Sequence, residues 1–280
     1  MLRVVFILLL LQGALSGGPA IEGRVVRVDA EAKALELEVS KSNGVEIKVG
    51  SHTSFRVSAG DAEIGYEGRT ISANANFYNK AWHLEQVFPL DGEGAKKVNL
   101  ANRIFLRETE AMGRGKFLKE GQKMPNFGMI NEDGDFVQMA DFKGKAYVLN
   151  FIFTRCAAPK MCPASSTKMG ELQEQAREAG LENLHFVTIS FDPAFDSPGI
   201  LRTYGIGYGF DLSNFHLLTI DSKPMIDAIL RRVGILTMEE DGTINHTMAT
   251  LLVDEQGRVA YREEGPSWKV KDFLRAAKRL

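Results

Sequence analysis

The chain has 280 residues, enough for one large domain or two small ones, each with its own core. Its 44% hydrophobic and 25% charged residues are ordinary for a globular protein. A formal net charge of -2 leaves no electrostatic footprint for nucleic acid, which excludes that class of partner.

The first element, residues 1–18 within MLRVVFILLLLQGALSGGPA, has the layout of a secretory signal: Arg3, an apolar run from Val4 to Leu11, then small residues from Ala14 to Gly18. The run is shorter than the roughly 20 residues that span a bilayer, and it lacks the cysteine of a lipoprotein signal. Export implies an oxidising compartment, where cysteines usually pair or bind something.

Residues 19–109 alternate in the manner of short strands: GRVVRVD, KALELEV, GVEIKVG, TSFRVSA, RTISANANF, AWHLEQVF and NRIFLRET. Turn signals such as Ser42-Asn43-Gly44 and Asp91-Gly92 separate them, and the pattern predicts a small OB-like barrel with Phe77 and Trp82 in its core. Residues 110–122 are polar and glycine-bearing without periodicity, which suits a linker.

From residue 123 to 280 strands alternate with helices, the pattern of a sheet covered on both faces. FGMI and DFVQM flank Asn131-Glu132-Asp133-Gly134 as a hairpin, AYVLNFIF is a central strand, and a helix runs from about Pro163 to Ala179. LHFVTISF, a helix near Ser197 to Tyr204, FHLLTI and a helix from Ser222 to Arg232 follow. MATLLVD and VAYRE form a hairpin around Gly257, and SWKVKDFLRAAKRL closes the chain as a helix. That order predicts a thioredoxin-like α/β domain.

Both cysteines, Cys156 and Cys162, fall on the loop that leaves the central strand, where ligands bind in such sheets. Cys162 adjoins Pro163 at the start of a helix, where unpaired amides and the helix dipole favour a thiolate. In GTINHTMATLLVD, His246 immediately precedes a buried strand, and the thioredoxin topology brings that entrance beside the cysteine loop. Two thiolates and an imidazole form a soft ligand set suited to copper in either oxidation state, and to zinc. The same sulfurs would also serve as attacking and resolving thiols, or as a plain structural disulfide. Met161 reads as packing; His52, His83, His185 and His216 fall in separate strand-like regions without ligand spacing.

The combination FIFTRC…CP, FVTISFDPAFDSPGILRTYG and HTMATLLVDEQGRVAYR resembles the Sco/SenC family over about residues 123 to 280. The resemblance implies a thioredoxin-fold copper chaperone for cytochrome c oxidase assembly, a carrier rather than a conventional enzyme. It places the copper ion, Cu(I) or Cu(II), on Cys156, Cys162 and His246. It sets Asp192, followed by Pro193, in a supporting role. The implied partner is the copper-bearing subunit of the oxidase or another copper-receiving protein, met in the periplasm or at the outer face of the membrane. The loop here is CxxxxxCP, two residues longer than the family's CxxxCP. A peroxiredoxin reading is disfavoured because Pro159 stands where those enzymes have a threonine. The runner-up is an exported thiol-disulfide oxidoreductase using the same cysteine pair.

Overall fold

The computed structural model describes residues 20–113, 115–240 and 243–280. The signal-like segment at residues 1–18 lies outside the described residues. The chain builds two packed units.

In the first, β1 (Ala20–Asp29), β2 (Ala34–Asn43), β3 (His52–Arg56), β4 (Thr70–Tyr78) and β5 (Ala81–Pro89) follow the order β1-β2-β3-β5-β4. β1 pairs with both β2 and β4, so the sheet closes on itself as a barrel. Alternation drives this closure: Ile21, Val25, Leu35, Leu37, Val39, Phe55, Ile71, Leu84 and Val87 all point inward and are buried. A short helix, α1 (Ala59–Ile64), bridges β3 and β4. The residues of GVEIKVG form no strand, although Val45 and Ile47 pack against the barrel core. Phe77 is 61% exposed rather than internal, paired edge-on with the half-buried Trp82.

NRIFLRET is helix, not strand. It belongs to α2 (Glu93–Ala111), whose buried positions Ala95, Val98, Ala101, Asn102, Phe105 and Thr109 recur at helical spacing. α2 packs on the second unit: Phe105 meets Phe127 with ring centroids 5.1 Å apart. The Asn102 side chain both accepts from the Gly128 N–H at 2.7 Å and donates to the Gly128 carbonyl at 3.0 Å.

The second unit opens with the hairpin β6 (Gly128–Ile130) and β7 (Phe136–Gln138). Its main sheet has the order β10-β9-β8-β13-β14, comprising β8 (Tyr147–Ile152), β9 (His185–Ser190), β10 (Phe215–Leu218), β13 (Ala249–Val253) and β14 (Val259–Glu264). β8, β9 and β10 are parallel, and β13 runs antiparallel to β8. All six residues of β8 are buried because helices cover both faces, so the strand reads as an unbroken apolar run around Asn150. The helices are α3 (Cys162–Glu178), α4 (Pro198–Gly207), α5 (Lys223–Val233) and α6 (Val270–Ala277). This is the thioredoxin-like arrangement that the element order predicts.

A separate two-stranded ribbon, β11 (Thr237–Glu240) and β12 (Thr243–His246), stands outside the main sheet. The sequence reading did not anticipate it. It is tied to the entrance of β13 through Thr247, whose N–H donates to the Leu236 carbonyl and whose hydroxyl accepts from the Leu236 N–H, both at 2.9 Å.

Candidate metal centre

Because β8 and β13 are antiparallel neighbours, the loop leaving β8 and the segment entering β13 lie at the same end of the sheet. The topology thereby unites residues far apart in sequence. Cys156 Sγ, Cys162 Sγ and a ring nitrogen of His246 all lie within 4.8 Å of one another. Among the described residues, this is the one cluster of three His, Cys, Asp or Glu side chains able to hold a metal ion. Both thiols are free.

Cys162 opens α3 and is fully buried, while Cys156 is half-buried on the outer part of the loop. Below them Asn150 donates to Ser165 Oγ at 3.1 Å and accepts from Thr188 Oγ1 at 2.6 Å, a buried polar bridge joining β8, β9 and α3. The His246 ring sits edge-on to Phe191 and Phe153, with centroid separations of 4.8 and 5.8 Å. Its Nδ1–H donates to the Thr247 carbonyl at 3.0 Å. Since that oxygen can only accept, Nε2 carries the lone pair, and it faces Cys162 Sγ at 3.5 Å. The backbone bond selects the tautomer that a metal needs at Nε2.

Burial disfavours the charged forms of His246 and Cys162. It lowers the basicity of His246, offset in part by the bond to Thr247, so the imidazole is neutral near pH 7. Burial also pushes the Cys162 thiol well above the ordinary range; a backbone hydrogen bond from Phe153 acts against this, and neighbouring Cys156 adds to it. Enclosure thus opposes the thiolate that the helix N-terminus favours, and a bound cation would be the natural counter-charge for the two sulfurs.

Asp192 lies beyond the end of β9 and is 3% exposed. It touches neither sulfur in any contact described for it. Its carboxylate accepts from Arg155 Nε at 2.5 Å, so it holds the residue before Cys156, and Arg155 also covers the Phe195 ring at 5.6 Å. Sequence reasoning missed Asp196, which is completely buried. Its carboxylate accepts from the Thr154 N–H at 3.0 Å, and also from the Thr154 and Ser190 hydroxyls. Burial raises its carboxyl to about 6. Asp196 thus anchors the root of the cysteine loop. Met161 is half-buried and directly precedes α3.

His185 and His216, which have no ligand spacing in sequence, meet across β9 and β10 with Nδ1 and Nε2 3.2 Å apart. They lie at the start of β9 and in β10, away from the cysteine loop, and they do not join the cluster of three. His52 and His83 are barrel residues.

Comparison with known proteins places this geometry among relatives. The SCO1/SenC family profile matches residues 117–268. The SCO1 protein homolog of Bacillus subtilis is 26% identical over 136 residues, covering 48% of this chain and 69% of that protein. The thiol-disulfide oxidoreductase ResA of Bacillus thuringiensis is 32% identical over 114 residues, covering 33% of this chain and 64% of its own length. Among solved structures, a SCO1/SenC family lipoprotein from Bacillus anthracis superposes with a TM-score of 0.54 at 31% identity. That match covers 59% of this chain and 99% of the lipoprotein.

Proposed function

The chain belongs to the SCO1/SenC family, and from that premise we propose that it is an exported copper carrier that supplies a cytochrome c oxidase subunit or a similar copper-receiving protein. Copper is its cargo. The observation that supports this reading is the convergence of Cys156, Cys162 and His246 within 4.8 Å. Two sulfurs and one neutral imidazole are a soft donor set that suits copper, and three protein ligands leave a coordination position for a partner's side chain. Transfer then proceeds by exchange of ligands, with Asp192 and Arg155 holding the loop that bears Cys156. Because burial disfavours the free Cys162 thiolate, loading releases its proton and tightens as pH rises.

The N-terminal unit is OB-like in this reading, which its strand order and the helix between β3 and β4 support. A second reading, thiol-disulfide exchange in the same exported setting, is favoured by the two free thiols and by the likeness to ResA. It uses the sulfurs and leaves His246 without a chemical role.

Titration of the reduced protein with copper against a competing chelator separates the two. A single copper per chain is expected, weakened by each of Cys156→Ala, Cys162→Ala and His246→Ala. Binding unaffected by His246→Ala, or no binding alongside measurable disulfide exchange, would overturn the carrier reading.

A further inference from the structure

A barrel side chain, Gln86, reaches the segment that follows Asp192. The β4–β5 ladder is bulged on β5: between the pairs Ser72–Phe88 and Asn74–Glu85, Gln86 and Val87 together stand against Ala73. Gln86 takes a left-handed backbone there, φ 53°, which is uncommon for a residue with a side chain. The bulge re-aims its amide out of the barrel. The amide nitrogen donates to the carbonyl of Ala194 and lies 3.4 Å from that of Pro193, while its oxygen accepts from the Asn74 amide. Pro193 and Ala194 directly follow Asp192, the partner of Arg155, and Arg155 directly precedes Cys156.

We propose that Gln86 is a positioning residue of the thiol site: the barrel fixes the Pro193–Ala194 backbone, and through the Asp192–Arg155 pair it holds Cys156 at the separation a metal ion requires. The inference deepens the copper reading and rests on it for the identity of the metal. Three features converge on one amide: a local break in strand register, a backbone conformation that disfavours side chains, and two carbonyls of the other unit as its acceptors. An amide serving only the barrel would need none of them. The N-terminal unit then has a role at the site, as a brace that keeps the longer CxxxxxC loop from wandering.

Gln86→Gly and Gln86→Met in the full chain test this. Glycine removes the amide and relieves the left-handed backbone together, so the melting temperature should hold or rise; methionine keeps the volume and removes the donor. In both, copper should be given up to a competing chelator with about tenfold lower affinity, and the thiolate-to-copper absorption band should shift. A freed loop also lets the two sulfurs approach, so the Cys156–Cys162 disulfide, equilibrated with reduced and oxidised glutathione, should become about threefold more favourable. That second measurement needs no copper. If the parent chain binds none, the copper reading fails and the glutathione equilibrium alone decides the role of Gln86. Copper affinity and glutathione equilibrium equal to the parent in both variants would overturn the proposal.

Discussion

Gly60 of α1 and Gly199 of α4 cross backbone to backbone, so closely that a Cβ on Gly60 would fall 1.9 Å from the Gly199 carbonyl oxygen. At Gly60 the obstacle is main chain, which cannot rotate away, and a Cβ on Gly199 would fall 2.3 Å from the Asp61 carboxylate and 2.6 Å from its backbone nitrogen. Beside this crossing Asp61, 2% exposed, lies against the start of α4, and Arg202 pairs with Glu63 at 2.9 Å and also with Asp133. Barrel and sheet unit therefore meet through a shape-matched seam as well as through Gln86.

Gly60→Ala should cost about 3 kcal/mol, the scale of a core overpacking, and lower the melting temperature by about 5–10 °C. Calorimetry should also show the single transition broadening or splitting as the two units lose their mutual support. An unchanged melting curve would mean that the seam adjusts without cost.

Asp192→Asn tests the support given to the cysteine loop. The amide keeps the shape but not the charge, which weakens the hold on the Arg155 guanidinium. Copper affinity should fall about tenfold, in the range seen when an outer-shell partner of a metal ligand is lost, while thermal stability changes less, because the isosteric amide keeps the packing of the buried Asp192 site. Measuring chelator competition and melting on the same sample separates these effects. A variant that melts early yet binds copper normally would assign Asp192 to the fold alone.

Glu132 is 1% exposed, accepts from the Leu217 N–H at 2.7 Å through one oxygen, and has its carboxyl raised to about 7 by burial. Its second oxygen is buried without a hydrogen-bond partner. The folded state therefore binds this proton more tightly than the unfolded state does. Between the ordinary carboxylate range and about 7 the folded chain holds more protons, so stability declines as pH rises through that window. Asp61, raised to about 6, acts in the same direction, whereas His216, lowered to about 4, acts oppositely below pH 6.5. Glu132→Gln should gain stability relative to the parent on going from about pH 5 to about pH 8, because only the parent must ionise a buried group. Urea denaturation at both values checks the sign, and a difference that does not change with pH would show that Glu132 ionises without penalty.

Much of the sheet unit was legible in the sequence because its strands are apolar runs and its helices carry proline near their starts: Pro163, Pro198 and Pro224 lie in the first turns of α3, α4 and α5. The two cysteines and His246 were legible as well, since fold topology alone brings β8 and β13 together. Other features left no local signal. The Ile104-Phe105-Leu106 run of α2 imitates a strand, and only the wider spacing from Ala95 to Thr109 reveals the helix. The ribbon β11–β12 consists of two four-residue strands without apolar alternation. Gln86 and Asp196 act through contacts that no spacing announces. The state of Cys162 depended on a balance between helix terminus and enclosure, and only coordinates reveal the enclosure.

The imidazole meets the second sulfur across 84 positions of sequence, and it is placed by a ribbon that precedes the final hairpin of the sheet. Synthesis runs from the N-terminus, so both thiols emerge long before the residue that completes their triangle. Until β13 has paired beside β8, the nascent chain offers two exposed cysteines and no third donor, a state that invites oxidation more than metal capture. The order of the elements along the chain thus sets a timetable in which thiol protection must come first and loading can begin only after the last strands are in place.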